Sequence, residues 1–398
     1  MKIKLAVMFG GKSTEHEISI ISAIQAIGHI NAEKYEIIPV YITKNNEFYI
    51  GENVGKISSY TNIPKLLKES QKVIFVSRPE GGADIVTYPM KAFKKNIVNS
   101  IDIAFPIVHG TNVEDGTLQG YLHMLNIPYV GCDVLSSAVG MDKYVMKTVL
   151  KDNGIPVLDC VTAMSKEYDT DPDALVEKIE KEVPYPVIVK PVNLGSSVGI
   201  TKASDRTELM NALEGAFAFA QKILVETAVQ NLKEINCAVL GDAEYAEASE
   251  CEEPVNSDDI LTFEDKYIGG GKDGGSKGMA TLKRKIPAEI TPEQRDYIRK
   301  MAEDAFKCLG CNGVSRIDFM MDTVTEKIWL NEINTIPGSL SFYLWEPIGM
   351  KYSKLLDRMI ELCLKREREQ DNLTYSFDSN VLEGVNFGGA KGAKGSKM

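Results

Sequence analysis

Residues 315–345 read SRIDFMMDTVTEKIWLNEINTIPGSLSFYLW, and this stretch decides the fold. Residues 315–321 alternate polar and apolar side chains as a half-buried strand does. Residues 322–326 have turn composition and 327–333 alternate again, so the segment predicts a β-hairpin. Side chains two apart on a strand share a face, which groups Arg316 with Asp318 and, on the returning strand, Glu332 with Asn334. Two carboxylates and an amide oxygen are hard donors suited to Mg²⁺, or Mn²⁺ in its place, an ion that keeps waters and also binds substrate phosphates. An always-charged guanidinium beside them can steady a developing oxyanion. The Asn-Thr-Ile-Pro-Gly turn then ends the second strand where backbone N–H groups can meet an anion. Arg316 or Asp318 alone would read as half of an ordinary cross-strand ion pair; the two strings together read as a site.

At 398 residues the chain is too long for one ordinary core, and two or three domains are expected. Its 44% hydrophobic and 25% charged residues are those of a globular protein. A formal net charge of −11 argues against a nucleic-acid backbone or an anionic membrane as a partner, so anionic ligands need local basic sites. Seven scattered cysteines suggest no disulfide framework and point to a reducing cytoplasm. Cys308 and Cys311 form a lone C-x-x-C, read as a helix end running into a turn at Gly310. The N-terminus has no signal-peptide layout, and no apolar run approaches membrane-spanning length.

Outward from the hairpin, residues 3–9 predict a buried strand stopped by Gly10-Gly11, followed by a helix with Thr14 and Glu17 as a capping box and Ile18, Ile21, Ile24 and Ile27 on one face. That is the opening of an α/β unit, whose ligands bind beyond the carboxyl ends of the strands; Glu15 stands there. Residues 36–42 and 101–108 predict further strands, 51–96 gives only weak strand signals at 73–76, and 136–150 predicts a helix. Lys190 ends the apolar strand VIVKP, where an unpaired ammonium would be costly, so it is expected to meet an anion such as phosphate. Small-residue loop 193–199, NLGSSVG, follows with N–H groups able to wrap phosphate oxygens. Residues 261–278 are rich in glycine and lysine and predict a lid between ordered segments. Thr291 and Pro292 open a helix to 309, and 350–369 predict a last one. Residues 373–398 read as a disordered tail.

Arg316, Asp318, Glu332, Asn334 and Gly338, with the strings HGTNVEDGTLQG, MDK, NLGSSVG and FEDKY, resemble the D-alanine:D-alanine ligases, ATP-grasp carboxylate-amine ligases. The likeness runs from Gly10 to Trp345. It implies an α/β protein of three domains: an N-terminal open parallel α/β domain (1–131), then two α+β ATP-grasp subdomains, central (132–226) and C-terminal with the metal site (227–372). By resemblance, Lys143, Lys190, Gly195, Ser196 and Ser197 hold ATP phosphates, Glu226 the adenine hinge and Glu234 the ribose. The same likeness puts His109 near the first substrate's carboxylate, joins Glu15, Ser196 and Tyr267 in one network, and brings Lys266 to the transferred phosphate or second substrate. Arg316 and the Gly338 N–H would stabilise the tetrahedral oxyanion. The implied reaction joins two D-amino acids through an acyl phosphate, with ATP and Mg²⁺, for peptidoglycan precursor synthesis; a homodimer is expected from the likeness alone. At one point the chain departs from the pattern: where the family has a serine for the acceptor's carboxylate, counting from Gly338 gives Tyr343, with Ser339 or Ser341 as substitutes. D-Alanine is the default acceptor, leaving D-serine, D-lactate or another amine open. Another ATP-grasp ligase and a non-catalytic nucleotide-binding protein are the rival classes.

Overall fold

The computed structural model describes residues 2–79, 81–195, 199–255 and 284–374; Ser196, Ser197, Lys266, Tyr267, the predicted lid and the tail from 375 onward lie outside them. The first apolar run becomes β1 (Ile3–Gly10), paired in parallel with β2 (Tyr35–Ile42). From β2 the sheet continues antiparallel through β3 (Phe48–Ile50), β4 (Gln71–Ser77), β5 (Ala83–Thr87) and β6 (Ile97–Ile101). On the other flank of β1 lies β7 (Ile103–Pro106), again parallel. The expected parallel unit is thus the end β2-β1-β7 of a seven-stranded mixed sheet. Residues 51–96, nearly silent in the sequence, supply much of the extension; β4 buries only Val73 and Phe75, too few for a clear alternation.

Gly10 and Gly11 turn the chain at φ +98° and +88°; a Cβ on Gly10 would sit 2.3 Å from the Ile42 carbonyl oxygen, so no other residue fits. Helix α1 (His16–Ile27) follows, but not as predicted. The Thr14–Glu17 capping box is not made: Glu15 is the N-cap residue, its N–H donates to Ser13 Oγ at 2.9 Å, and Glu17 pairs with Lys44 at 2.9 Å. Nor does the isoleucine row form the deepest face, which is Ser19, Ile20, Ser22, Ala23 and Ala26. Two serines are buried there because they clamp other segments. Helices α2 (Ile63–Glu69) and α3 (Thr117–Met124) complete the first unit. The single helix expected over 136–150 is two, α4 (Val134–Met141) and α5 (Lys143–Asp152). Asp142 leaves the helical conformation, with ψ 100°, and its carboxylate accepts the N–H groups of Tyr144 and Val145, each at 3.0 Å.

A four-stranded antiparallel sheet comes next, β8 (Cys160–Met164), β9 (Val187–Pro191), β10 (Thr201–Ala203) and β11 (Lys222–Thr227), in the order β10-β9-β11-β8. With α6 (Ser165–Thr170), α7 (Pro172–Glu182) and α8 (Arg206–Phe217) it encloses its own apolar core around Val176, Ile179, Val189, Leu213 and Ile223. The third sheet is β12 (Leu232–Gly241), β13 (Ala246–Pro254), β14 (Arg284–Lys285), β15 (Gly313–Asp322) and β16 (Ile328–Asn334), in the order β14-β13-β12-β15-β16. Helix α9 (Pro292–Cys308) packs on it, capped by the reciprocal Thr291–Gln294 box with Pro292 in its first turn. Helix α10 (Tyr352–Gln370) returns to the first unit, and its Leu355, Leu356, Met359 and Ile360 share one core with β1, β2 and β7.

Between β16 and α10 the chain makes an uncommon turn. Ser339, Leu340 and Ser341 have φ +50°, +53° and +50°, a left-handed run that costs about 1–2 kcal/mol per L-residue. It is held from outside: Leu340 is buried in the shared core, the Ser339 N–H donates to Ser22 Oγ at 2.9 Å and its hydroxyl to Gln25 Oε1 at 2.7 Å. The buried Ser341 hydroxyl has no hydrogen-bond partner among the described residues. Glycine takes this conformation without steric cost, so Ser341→Gly is expected to raise the unfolding free energy by about 1 kcal/mol in urea titrations. A drop of that size would mean that the serine holds the turn.

Candidate active site

The predicted hairpin forms as β15 and β16. Register sets Arg316 opposite Asn334, and Asp318 opposite Glu332 on one side and Asn236 of β12 on the other. Arg316 grips Asp318 as a fork, Nε to Oδ1 at 2.6 Å and Nη2 to Oδ2 at 2.7 Å. Burial works against the guanidinium's charge, but Asp318 more than compensates and holds its pKa well above the ordinary value. Asn334 donates Nδ2 to Asp318 Oδ2 at 3.0 Å, which leaves its amide oxygen for a cation. Among the described residues no three His, Cys, Asp or Glu side chains gather as a metal cluster; the set here is two carboxylates and an amide, the hard donors Mg²⁺ takes alongside phosphate oxygens and water. Glu234 lies on β12 two residues before Asn236, hence on the same face, opposite Met320 of β15.

Asp318 faces Glu332 while Phe319 faces Leu330, so Asn331 is an extra residue, a β-bulge. Its side-chain oxygen accepts a 3.0 Å hydrogen bond from Lys190 of β9 and so joins the second sheet to the third. Lys190 does meet an anion, within the protein: it bonds Glu226 Oε1 at 2.5 Å, and Lys147 of α5 bonds the other carboxylate oxygen. Burial opposes the Glu226 charge, but Lys147 and Lys190 outweigh it and hold its pKa at about 2. Burial also pulls Lys190 down, against the attraction of Glu226. The triad carries one positive charge more than it balances, a setting for a phosphate group. Lys147 went unassigned in the sequence; its one signal is its place four residues after Lys143, on the same face of α5. Lys143 itself bridges the sheets, with Nζ 3.1 Å from Glu332 and 2.9 Å from the Leu194 carbonyl. The cleft between is lined by Glu114, Met141, Lys143, Leu194, Gly195, Glu332 and Asn334.

The first unit closes the far side. Ser13 donates to the His109 carbonyl at 2.6 Å, and a Cβ on Gly110 would lie 3.1 Å from Glu15 Oε2, so the Glu15 carboxylate sits against that loop. His109 is buried and both ring nitrogens are engaged. Nδ1 donates to the Ile336 carbonyl at 2.7 Å, and Nε2 accepts from Ser22, 2.8 Å away. Burial holds the ring below its ordinary pKa against the pull of Glu15, consistent with that neutral tautomer. The sequence expectation put this ring at a substrate carboxylate; here it braces the turn after β16 and has no nitrogen left over. Glu114, unassigned in the sequence, binds the Gly110 N–H at 2.7 Å and the Ile336 N–H at 3.2 Å. Burial first, then the Glu15 charge, push its pKa up to about 8.

The family profile described as "D-ala D-ala ligase N-terminus" matches residues 4–132, and "D-ala D-ala ligase C-terminus" matches 149–361. The chain belongs to the D-alanine–D-alanine ligase family. It is 39% identical over 382 residues to the D-alanine–D-alanine ligase of Thermosipho melanesiensis, covering 96% of this chain and 98% of that one. The D-alanine–D-alanine ligase of Caldicellulosiruptor bescii is 41% identical over 381 residues, with 94% and 99% covered. Among solved structures, the D-alanine–D-alanine ligase of Coxiella burnetii superposes with a TM-score of 0.77 at 31% identity, over 93% of this chain and 96% of that one. VanG D-Ala:D-Ser ligase of Enterococcus faecalis gives 0.76 at 34%, over 91% and 100%.

Within this ligase fold the turn after β16 holds the three residues expected near the acceptor's carboxylate, Ser339, Ser341 and Tyr343. Gly338 opens it, and Ser339 and Ser341 are buried in it, the Ser339 hydroxyl taken by Gln25. Tyr343 reaches the polar face, where its hydroxyl donates to Glu252 Oε1 at 3.1 Å. For the ATP side, folding lowers the Glu226 pKa, so the triad's stabilisation is complete above the ordinary carboxylate value of 4.5 and is lost as pH falls towards about 2. Glu226→Gln strands two buried ammonium groups and is expected to cost about 3–5 kcal/mol of unfolding free energy at neutral pH, with a smaller loss on acidification. Urea titrations at several pH values measure both; an unchanged midpoint at pH 7 would mean that the triad holds nothing together.

Proposed function

We propose that the protein joins two D-amino acids, D-alanine to D-alanine by default, with ATP converted to ADP and phosphate, in peptidoglycan precursor synthesis. The observation that carries the reading is the single polar face on which Arg316, Asp318, Asn334 and Glu332 meet, tied through Lys143 and Asn331–Lys190 to a buried excess of positive charge. A carboxylate is a poor electrophile. Phosphorylation of the first substrate's carboxylate by the γ-phosphoryl of ATP gives an acyl phosphate and ADP; the second amine then adds to the acyl carbon, loses a proton and expels phosphate.

On this reading Lys143, Lys190 and the Gly195–Ser196–Ser197 loop hold the nucleotide phosphates, with the Glu226 segment and Glu234 on adenine and ribose. Asp318, Glu332 and Asn334 would hold magnesium, or manganese in its place, which would supply charge compensation to the phosphates. Glu15, beside Gly110 and Gly195, takes the first substrate's ammonium. The family likeness joins it with Ser196 and Tyr267 in one network. By the family likeness, Lys266 serves the transferred phosphate or the second substrate. Arg316, fixed by Asp318, and the Gly338 N–H face the tetrahedral oxyanion, preorganised where charge develops. His109 positions this turn through Ile336 and Ser22.

Seven free thiols fit a reducing cytoplasm, and among the described residues no helix is long and apolar enough to cross a membrane. A second acceptor, D-serine, is favoured by the likeness to a D-Ala:D-Ser ligase. The test is ADP release with ATP alone, then with D-alanine, then with D-alanine plus D-serine or D-lactate, products identified by mass. Ligation requires release that rises only when amino acid is present, together with a dipeptide. Release indifferent to amino acid would sink the reading, and product with D-serine alone would replace the default acceptor. Arg316→Ala is expected to lower kcat by about 10²–10³ with ADP binding retained. Near-normal turnover in that variant removes Arg316 from the oxyanion role.

A further inference from the structure

The third sheet's polar face ends in a group of side chains that the reaction scheme above does not use. Arg284 of β14 lies with its guanidinium carbon 4.0 Å from the centre of the Tyr343 ring, and one nitrogen makes a 3.3 Å ion pair with Glu252. Glu252 is shared: its other oxygen accepts from Tyr343 at 3.1 Å and from Asn236 at 3.0 Å. Arg316 is close enough that Glu252 and Tyr343 both raise its pKa. The second terminal nitrogen of Arg284 is buried and has no acceptor among the described residues. A buried N–H of a cation left without an acceptor is costly, and a carboxylate is the partner that satisfies it best.

Several donors nearby are committed: Arg316 spends Nε and Nη2 on Asp318, the Ser339 hydroxyl donates to Gln25, and the Tyr343 hydroxyl donates to Glu252. The Ser341 hydroxyl has no partner among the described residues, but it is a neutral donor, and Arg284 is the charged one. We propose that Arg284, stacked on Tyr343 and tethered by Glu252, is the residue that binds the carboxylate of the second substrate and makes a free carboxylate the mark of an acceptable acceptor. The inference rests on the ligase reading. It replaces the neutral hydroxyl the family uses with a cation set by a ring and a carboxylate, and it assigns Tyr343 to positioning: the ring is the platform and its hydroxyl fixes Glu252.

The test is a competition. Enzyme, ATP and equal amounts of D-alanine and D-alaninamide are incubated, and the dipeptide acid and dipeptide amide are counted by mass spectrometry. Wild type is expected to favour the acid. Arg284→Gln should shift the acid-to-amide ratio by roughly 10- to 100-fold, the worth of a charge-assisted hydrogen bond, while KM for ATP stays within about threefold. Arg284→Lys, which keeps the charge, should retain part of the preference. Tyr343→Phe, which keeps the ring, should shift it less than Arg284→Gln. A wild-type ratio in Arg284→Gln overturns the assignment even if turnover falls, because a structural loss slows both products alike. No product from wild type overturns the ligase reading and this one with it.

Discussion

Everything at the site depends on the pairing of β15 with β16. Because side chains alternate along a strand, this register brings Arg316, Asp318, Glu332 and Asn334 to one face, and a slip of β16 by one residue would send Glu332 and Asn334 to the other side, away from Arg316 and Asp318. The bulge at Asn331 allows that register to coexist with a contact to Lys190, since it adds a residue without shifting the Asp318–Glu332 pair. The Arg316–Asp318 fork then fixes the guanidinium in one orientation, with two of its nitrogens engaged.

A second constraint comes from the opposite end of the chain. Ser339 N–H to Ser22, Ser22 hydroxyl to His109, and His109 to the Ile336 carbonyl form one continuous chain of hydrogen bonds in which each buried polar group is answered. It runs between α1 and the left-handed turn and explains why Ser22 occupies the buried side of that helix, where Ser19 also accepts the His109 N–H at 2.9 Å. The same fastening compensates the backbone strain at Ser339–Ser341, which no local preference of serine or leucine would support.

Where local composition determines structure, the sequence was readable. The hairpin followed from period-2 alternation, the first turn from Gly10-Gly11, and the start of α9 from Thr291-Pro292. The carboxylates and amide of the hairpin were legible as a group because they lie within one supersecondary unit. What escaped depended on distant partners. Nothing local says that Asp142 will cap α5 and split a helix, that Lys147 will share Glu226 with Lys190 from another sheet, or that both nitrogens of His109 will turn inward. Glu114 and Asn331 stood inside quoted strings, yet their partners lie far along the chain, at Ile336 and Lys190.

The three sheets are not joined alike. The first unit shares an apolar core with α10 and with Leu340, Leu344 and Trp345, so these parts cannot separate without exposing it to water. By contrast the four-stranded unit has a core of its own, and among its ties to the rest are Lys190 to Asn331, Lys143 to Leu194 and Val192, and Lys222 to Asp142. Polar ties can be exchanged for water at little net cost, whereas an oily seam cannot. Of the three units this one can therefore part from the rest with the least apolar surface exposed, and that movement would draw Lys190 away from Asn331 of β16.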